Sequence, residues 1–327
     1  MAHTQLHPLW IKYPSLKKDL GAVVELIEQN INLDESDVKK AIIKMIENGG
    51  KMLRPAYTLL MSSFYEIDHQ RILGLAAAIE TLHAASLIHD DIIDDAPTRR
   101  HLPSIQQQFG KDVAVYAGDY LFVVVFRLLS KNHLDLDAIQ RDIQYLNNLL
   151  AGELNQKDAR YDFDMTIERY LKQIDGKTAE LFALATTIGA NKENAPAEFL
   201  ANAEQIGRNI GMAFQILDDI LDYEESSKAI GKPTLEDLRQ GVYSAPLIFT
   251  MATHKADVLP ILQKRNDISD DEALVLDRLV KAHGLTPAKE LAKEYTRKAL
   301  AEIENLPDKP AKKILLQLTT QLLKRKN

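Results

Sequence analysis

Apolar and polar residues recur with the period of an α-helix along almost the whole chain. Within residues 34–50, apolar side chains stand three and four positions apart, so they share one face of a helix. Asp34 or Ser36 can cap its start, and Gly49 followed by Gly50 can close it. The same period predicts further helices over residues 110–131, 136–159, 165–189, 195–225, 234–253, 271–283, 286–305 and 309–326. We find no convincing two-residue period, so the sequence predicts an all-α protein.

The stretch over residues 71–95 differs from the others because it has no polar face before its acidic end. A helix that is apolar all round is buried on all sides, so this stretch predicts a central helix. The linkers between the predicted helices are short, such as 190–194 and 226–233, and none has the character of a domain boundary. We therefore expect residues 1–327 to form a single large helical domain.

The composition of the 327-residue chain is that of a folded protein, with 46% apolar and 27% charged residues. The absence of cysteine excludes disulfides, zinc–cysteine sites, iron–sulfur clusters and thiol catalysis. Lysine and arginine number 40 against 47 aspartates and glutamates, and the net charge of −7 argues against a nucleic-acid partner. No stretch approaches the roughly 18 uncharged apolar residues of a membrane span. The N-terminus lacks a signal-peptide pattern, so we expect a cytoplasmic protein.

Two clusters of aspartates follow apolar runs, and both have the spacing D-D-x-x-D. The members of each stand at positions i, i+1 and i+4, so three carboxylates should project from roughly one side of a helix end. The clusters are Asp90, Asp91 and Asp94, and Asp218, Asp219 and Asp222. Both lie near the C-terminal end of a helix, where the macrodipole already presents negative charge. Carboxylates crowded at that end therefore require a cation.

Oxygen ligands without histidine or cysteine indicate a hard ion, with Mg²⁺ first and Mn²⁺ or Ca²⁺ as alternatives. Mg²⁺ held by a few carboxylates usually completes its shell with waters and substrate phosphates. A solvated acidic helix end explains a single D-D-x-x-D equally well. Two copies, each at the end of an apolar helix, favour the metal site.

Cationic side chains flank both acidic clusters, as a phosphate ligand would require. Lys51 and Arg54 stand three apart at the predicted start of a helix, whose free amides also attract an anion. The other cations are Arg99 and Arg100 after the first cluster, Lys177 within an apolar helix, and Lys232 after the second cluster. Each alone is most simply a surface cation, but together they indicate a phosphate-bearing substrate.

These motifs resemble those of the trans-isoprenyl diphosphate synthases, also called polyprenyl synthetases, over about residues 20–325. Besides the two aspartate motifs, the matching elements are Gly-Gly-Lys-x-x-Arg-Pro at 49–55, His83, Arg99-Arg100, Gly-Asp-Tyr-Leu at 118–121, Lys177-Thr178, Phe214-Gln215 and Gly-Lys-Pro at 231–233. The resemblance implies an all-α domain with helices around a central cavity. It also implies Mg²⁺-dependent, head-to-tail condensation of isopentenyl diphosphate onto an allylic diphosphate.

The resemblance further implies a role for each matching residue. Three Mg²⁺ ions per active site would be held on the allylic diphosphate by Asp90, Asp91, Asp94, Asp218, Asp219 and Asp222. The same diphosphate would contact Arg99, Lys177, Thr178, Gln215 and Lys232. The diphosphate of isopentenyl diphosphate would bind to Lys51, Arg54, His83 and Arg100. The residues expected to carry the ionisation step are Asp90, Asp91, Asp94, Lys177, Asp218 and Lys232.

Small residues before the first aspartate cluster predict a medium or long product. Leu82 and Ser86 share a helical face with Asp90, so they would line the route away from the metal ions. Short-chain members of the family place an aromatic residue four or five positions before the first aspartate, where this chain has Ser86 and Ala85. At 1.5 Å per residue, the open stretch from 90 to 82 is about 12 Å long. This length favours a hexaprenyl to octaprenyl product, as used for the side chains of quinones such as menaquinone. Candidate floor residues of the tunnel, if they are not simply core, are Phe122 and Phe126.

Within the family, the sequence most resembles the catalytic component, component II, of heteromeric hexaprenyl and heptaprenyl diphosphate synthases. That component works with a smaller regulatory subunit, but homodimeric synthases carry the same motifs, so both assemblies stay open. Alternative functions are a short-chain geranylgeranyl diphosphate synthase, a terpene cyclase and a non-catalytic partner subunit. Residues 309–326 are basic and amphipathic. They predict either a packed helix, which we favour, or a peripheral contact with an anionic membrane.

Overall fold

A computed structural model of the protein describes residues 6–33, 36–48, 50–100, 102–133, 136–190, 195–225 and 236–323. Within them the α-helices are α1 Pro14–Asn30, α2 Asp37–Glu47, α3 Leu53–Ser62, α4 His69–Ile93, α5 Ile105–Phe109, α6 Lys111–Asn132, α7 Leu136–Asp158, α8 Ile167–Ile174, α9 Glu180–Ala190, α10 Ala197–Glu225, α11 Glu236–Arg239, α12 Ala245–Leu262, α13 Asp270–His283, α14 Leu285–Glu304 and α15 Pro310–Leu323. A π-helical turn, Asp175–Ala179, joins α8 to α9, and 3₁₀ turns occupy Pro8–Lys12 and Arg265–Asp267. Two short antiparallel strands, β1 Thr98–Arg99 and β2 Leu102–Pro103, form one hairpin. The all-α prediction is confirmed.

The chain divides into two compact units. Unit 1 comprises Met1–Ile143, Leu184–Ala203 and Lys309–Ala311, and unit 2 comprises Gln144–Ala183, Glu204–Asp308 and Lys312–Asn327. The first aspartate cluster belongs to unit 1 and the second to unit 2. The expectation of a single domain stays a prediction.

Helix α4 is the centre of unit 1, where α1, α3 and α6 pack against it. Its apolar residues from Ile72 to Ile88 are buried almost without interruption, so the prediction of a central helix buried on all sides is confirmed. Helix α6 runs antiparallel to it. Arg71 Nε near the start of α4 donates to Asn132 O, the carbonyl of the last residue of α6, at 3.0 Å. His89 Nε2 near the end of α4 lies 3.3 Å from Asp119 Oδ1.

Unit 2 has an apolar core to which α8, α10, α12, α13 and α14 contribute. Helix α13 begins with a capping box, in which Ser269 and Glu272 each accept from the other's backbone amide. Its neighbour α14 follows after Gly284 alone, so the two helices form a tight pair. This core holds α8 and α10, the helices that carry the second aspartate cluster and its contacts.

Several predicted helices are confirmed with shifted ends, the one expected over 165–189 is interrupted by the π turn, and one is wrong. Helix α2 begins after Ser36, whose Oγ accepts the amide of Lys39 at 3.2 Å; Asp34 and Gly49 lie outside the described residues. The single helix expected over 234–253 is broken. Its described part holds α11, a loop over 240–244 in which Gly241 has a φ of +78°, and only then α12. A positive φ ends a helix and favours glycine, so the break has a local cause.

Among the described residues, two helices, α4 and α6, are long and apolar enough to cross a membrane by length and composition, so the expectation that no stretch approaches a membrane span was wrong. In α4 the apolar window is 78% buried within the protein, as in a core helix, whereas in α6 it is 44% buried. The difference is a row of exposed apolar side chains on α6, namely Val115, Tyr116, Val123 and Phe126. The C-terminal helix behaves as a packed helix, because Leu315, Leu318 and Leu322 of its stripe are buried.

Candidate active site

The first aspartate cluster lies where α4 ends. Asp90 and Asp91 belong to its last turn, and Asp94 is the residue that caps its C-terminus. The three side chains differ in their environment, and their projection from roughly one side of the helix end stays a prediction. Asp91 is buried, Asp90 is half-buried and Asp94 is exposed. Successive helical residues point about 100° apart, so Asp91 turns towards the protein while the two residues at i and i+4 stay on the outer face.

Asp91 is held by the hairpin that follows α4. Arg99 on β1 donates from Nε to Asp91 Oδ1 at 2.7 Å, and its Nη2 donates to the same oxygen. Burial raises the pKa of the Asp91 carboxyl, and the Arg99 guanidinium offsets part of that rise. Gln106 Nε2 donates to the carbonyl oxygens of Asp91 at 2.7 Å and Ala96 at 2.9 Å, which fixes the turn after the helix.

Arg100 points to a different set of groups, on α2 and the middle of α4. Its Nη1 donates to Met45 O at 3.1 Å. A β-carbon on Gly50 would stand 2.7 Å from Arg100 Nη1, so in its present position the guanidinium occupies the space that a side chain at residue 50 would take. The charges of Arg100 and Arg54 both act on Glu80, a carboxylate of α4 that is 3% exposed. Burial nevertheless dominates and raises the pKa of Glu80 to about 7.

Arg54 and His83 form the other side of this cationic pocket. Arg54 Nη1 and His83 Nε2 are 3.4 Å apart. Because a guanidinium only donates, His83 Nε2 acts as the acceptor and the ring proton resides on Nδ1. Burial lowers the pKa of His83 well below its usual range and that of Arg54 to about 10. At neutral pH the pocket therefore has a charged arginine and a neutral histidine. Lys51, half-buried just before α3, is anchored by Trp10 Nε1, which donates to Lys51 O at 2.9 Å.

The second aspartate cluster lies on the last turns of α10 and repeats the asymmetry of the first. Asp218 and Asp222 are exposed, whereas Asp219 is half-buried and bound inside unit 2. Tyr170 Oη donates to Asp219 Oδ2 at 2.6 Å, and Gln215 Nε2 donates to Asp219 Oδ1 at 2.8 Å. Burial raises the pKa of Asp219 to about 7 despite these two donors. In both clusters, therefore, the middle aspartate is fixed by the protein and the outer two face outwards.

The predicted pair Lys177 and Thr178 lies on the π turn, a feature that the sequence did not predict. The expected helix over 165–189 is interrupted there, because Glu180 N–H donates to Asp175 O, five residues earlier. Thr178 Oγ1 donates to Gln215 Oε1 at 2.7 Å, which links the turn to Asp219 through one amide. Lys177 Nζ lies 3.0 Å from Glu153 Oε2. Single π turns inside α-helices are frequent at functional sites.

The donor set at both helix ends suits a hard divalent cation. Oδ2 of Asp91 is buried without a hydrogen-bond partner, which is costly unless a ligand completes it. Within the described residues, no group of three histidine, aspartate or glutamate side chains is arranged as a complete ligand set. A cation at either cluster would therefore take a few carboxylate oxygens from that cluster and complete its shell with water and substrate oxygens, as Mg²⁺ commonly does. Lys232, expected near the second cluster, lies outside the described residues.

Comparison with known proteins assigns these features to a family. The model of the polyprenyl synthetase family matches residues 35–278. The chain belongs to this family. Among curated polyprenyl synthetases, heptaprenyl diphosphate synthase component 2 of Geobacillus stearothermophilus is 31% identical over 96% of this chain and 98% of that protein. The shared family identifies the chain as a trans-prenyltransferase.

Solved polyprenyl synthetases have the same fold. The crystal structure of geranylgeranyl pyrophosphate synthase from Lactobacillus brevis matches with a TM-score of 0.93 and 41% identity, covering 97% of this chain and 99% of that one. A polyprenyl synthase from Caulobacter crescentus, complexed with calcium and isoprenyl diphosphate, matches with a TM-score of 0.87 and 28% identity, covering 96% and 97%. The match to these all-α synthases confirms the fold that the motifs imply.

The residues predicted to set chain length in this polyprenyl synthetase differ in their surroundings. Leu82 and Ala85 are buried, and Ser86 is half-buried with its Oγ donating to Leu82 O at 3.1 Å. Phe122 is half-buried, and its ring stacks on that of His89 with centroids 5.7 Å apart. Phe126 is 46% exposed in the single chain, and its role as a floor stays a prediction.

Sequence reasoning missed four residues that hold the site together. Glu80 could have been found from the sequence, since it is an acidic residue within an otherwise apolar helix. Tyr170 and Gln106 could not, because each acts through a long-range hydrogen bond that the spacing does not reveal. Arg208 is the fourth. It forms ion pairs with Asp175 and Glu180 at the two ends of the π turn.

Proposed function

We propose that this prenyltransferase is an all-trans polyprenyl diphosphate synthase that condenses isopentenyl diphosphate, head to tail, onto an allylic diphosphate. The observation that carries the proposal is the pair of D-D-x-x-D motifs, each with its middle aspartate bound by neighbouring side chains. Mg²⁺ would be held by Asp90, Asp91, Asp94, Asp218, Asp219 and Asp222. The hydrogen bonds to Asp91 and Asp219 would fix the direction of those two carboxylates. The family matches and the calcium in the Caulobacter relative support a metal-dependent reaction.

The proposed metal, three Mg²⁺ ions per active site, would supply positive charge that stabilises the departing diphosphate. Arg99, Lys177, Thr178, Gln215 and Lys232 would bind the same diphosphate of the allylic substrate. Its C–O bond breaks, the electron pair leaves with pyrophosphate, and an allylic carbocation remains. The π electrons of isopentenyl diphosphate then form the new C–C bond. Loss of a proton to a pyrophosphate oxygen restores a double bond, so the balance needs no protein base.

The second substrate would bind in the cationic pocket of unit 1. Lys51, Arg54 and Arg100 supply positive charge to the diphosphate of isopentenyl diphosphate. His83, neutral because burial depresses its pKa, would donate a hydrogen bond from Nδ1. A neutral histidine can donate this directional hydrogen bond without adding positive charge to the pocket. Guanidinium groups suit this task because their fork of donors matches phosphate oxygens.

For the product we propose a hexaprenyl to octaprenyl chain for a quinone such as menaquinone. The small side chains of Ala85 and Ser86 support a long tunnel, as does the similarity to heptaprenyl diphosphate synthase component 2. The second candidate is geranylgeranyl diphosphate, favoured by the 41% identity to the Lactobacillus brevis enzyme. One experiment distinguishes them. Purified protein with Mg²⁺, labelled isopentenyl diphosphate and farnesyl diphosphate should yield products longer than geranylgeranyl diphosphate on thin-layer chromatography. A stop after one addition would refute the long product, and no product at all, alone or with a candidate partner subunit, would refute the synthase.

We further propose that the chain works in the cytoplasm as a dimer, with a second copy or with a smaller regulatory subunit. The exposed apolar side chains of α6 support a subunit contact, because contiguous exposed apolar surface commonly marks an interface. Mass photometry of the purified chain tests the homodimer. A purely monomeric and inactive chain that gains activity with a partner subunit would favour the heteromer.

A further inference from the structure

The feature that carries a further inference is the side chain of Arg208 on α10, which joins the two ends of the π turn. Its Nη1 lies 2.6 Å from Asp175 Oδ1 and 2.9 Å from Glu180 Oε2, and its Nη2 lies 3.0 Å from Glu204 Oε1. Glu180 is 2% exposed, and its other oxygen accepts from Asn148 Nδ2 at 2.7 Å. The buried carboxylate is thus fully bonded, and Arg208 supplies its positive charge.

The spacing of Asp175 and Glu180 along the chain explains why their ion pairs with Arg208 favour the π form of the segment over an α-helical form. At 3.6 residues per turn, residues five apart are separated by about 140° around an α-helix, so one guanidinium could not easily reach both. In a π turn the i→i+5 hydrogen bond brings residues five apart to nearly the same side. Asp175 and Glu180 are the very residues that this hydrogen bond joins, through Glu180 N–H and Asp175 O. Arg208 therefore binds the π form of the segment and not its α form.

The packing around the turn agrees with this selection. A β-carbon on Gly211 of α10 would stand 2.4 Å from Ala179 Cα, so α10 touches the backbone of the turn itself. Within the turn, the π form presents Thr178 Oγ1 to Gln215 Oε1 at 2.7 Å. If the same residues formed an α-helical turn, i→i+4 hydrogen bonds would replace the i→i+5 bond, and this change of register would rotate Lys177 and Thr178 relative to α10.

We propose that Arg208 is a positioning residue that holds the segment Asp175–Ala179 in the π form and thereby aims Lys177 and Thr178 at the allylic diphosphate. It touches no substrate and acts through the turn. The inference rests on the proposed function, since Lys177 and Thr178 matter here only as ligands of that diphosphate. The geometry of the turn itself does not depend on the reaction.

Two readouts test the proposal, one of which needs no activity. Hydrogen exchange of the peptide that contains the Glu180 amide reports the i→i+5 bond directly. In Arg208→Met we expect that exchange to accelerate at least about tenfold, since loss of the ion pairs favours local opening. Steady-state kinetics should show KM for the allylic diphosphate raised at least about tenfold, or about 1.4 kcal/mol. The KM for isopentenyl diphosphate should change less than about twofold.

Three further variants keep the test decisive if Arg208→Met folds poorly. Arg208→Lys keeps the charge but not the fork of donors, so it should fold and still raise the allylic KM. The triple variant Arg208→Met, Asp175→Asn, Glu180→Gln removes the charges together, which relieves the buried carboxylate. It should recover thermal stability while both the fast exchange and the high allylic KM persist. Arg169→Met, which removes the ion pair of a half-exposed arginine with Asp162, is the control and should change neither readout.

Three outcomes would overturn the proposal. Unchanged exchange at Glu180 in Arg208→Met would show that the arginine does not hold the turn. Fast exchange with an unchanged allylic KM would show that the turn does not position the ligands. Recovery of the allylic KM in the triple variant would show that Arg208 only neutralises charge. A wild-type protein without prenyl transfer would instead refute the proposed function, and the exchange experiment would still decide whether Arg208 holds the turn.

Discussion

Replacement of Glu80 by glutamine should flatten the dependence of stability on pH. Glu80 is buried in α4 beside Arg54 and Arg100, and its pKa rises from an ordinary value of 4.5 to about 7. A carboxyl whose pKa is higher in the folded state binds its proton more tightly there. Its contribution to stability is therefore complete below pH 4.5 and is lost as the pH rises through 7.

The size of the effect follows from the same two pKa values. At about 1.36 kcal/mol per pKa unit, the complete transition is worth about 3 kcal/mol. About 2.5 kcal/mol of this falls between pH 5 and pH 8. In Glu80→Gln this part of the pH dependence should disappear, because the amide does not titrate. Absolute stability is not the readout, since the loss of the carboxylate also leaves the two guanidinium groups less well compensated.

Urea denaturation of both proteins at pH 5, 6, 7 and 8, in one buffer series, measures the difference. Glu290→Gln is the matched control. Lys293 lowers the pKa of Glu290, but this ion pair is exposed and screened, so its removal should leave the slope unchanged within error. Wild-type and Glu80→Gln curves that stay parallel from pH 5 to pH 8 would refute the reasoning. They would mean that Arg54 and Arg100 keep Glu80 ionised despite its burial.

Four further outcomes are expected. Asp90→Ala should lower prenyl transfer at least about 100-fold by removing a metal ligand. The control Asp112→Ala, which replaces an exposed acidic residue of α6, should not lower it, and equal activities of the two variants would contradict the metal assignment. Chelation with EDTA should abolish turnover in a coupled pyrophosphate assay and added Mg²⁺ restore it, and chelator-resistant turnover would exclude metal dependence. Ala85→Phe should shorten the product seen by chromatography; an unchanged length would contradict the tunnel argument. Gly211→Ala should destabilise the protein by about 1–3 kcal/mol in urea, because the new methyl group meets Ala179 backbone; undiminished stability would show that α10 can move away.

The central helix and the two acidic clusters could be predicted because their signals are local. An apolar run without a polar face leaves α4 no position except the core, and its observed limits differ by two residues at each end from those predicted. The break within 234–253 also had a local signal, in Gly241 and in the proline at 246, but the helical period on either side outweighed it. The sequence therefore contained the information needed to predict this break, but the helical pattern was given more weight.

The division of labour within each aspartate cluster could not be predicted from spacing alone. Helix geometry predicts that Asp91 and Asp90 point in different directions. Whether Asp91 faces solvent or protein depends on Arg99, which binds it. Arg99 lies on a hairpin whose strands are too short to be recognised in the sequence. Asp219 depends in the same way on Tyr170, 49 residues earlier in the chain. The π turn left no trace in the sequence, because one extra residue hardly disturbs an apolar pattern that is dense on both sides.

The two adjacent arginines of the hairpin have a consequence for thermodynamic linkage. Arg99 binds the aspartate cluster, while Arg100, with a φ of +53°, turns towards Met45 and Gly50 in the other pocket. A single peptide bond thus joins a residue proposed for each substrate. If one ligand displaces the hairpin when it binds, it changes the conformation to which the other ligand binds. By thermodynamic reciprocity, each ligand must then change the affinity of the other by the same factor. Titration of isopentenyl diphosphate with and without a non-reactive allylic analogue would measure that factor, which a model of two independent sites sets at one.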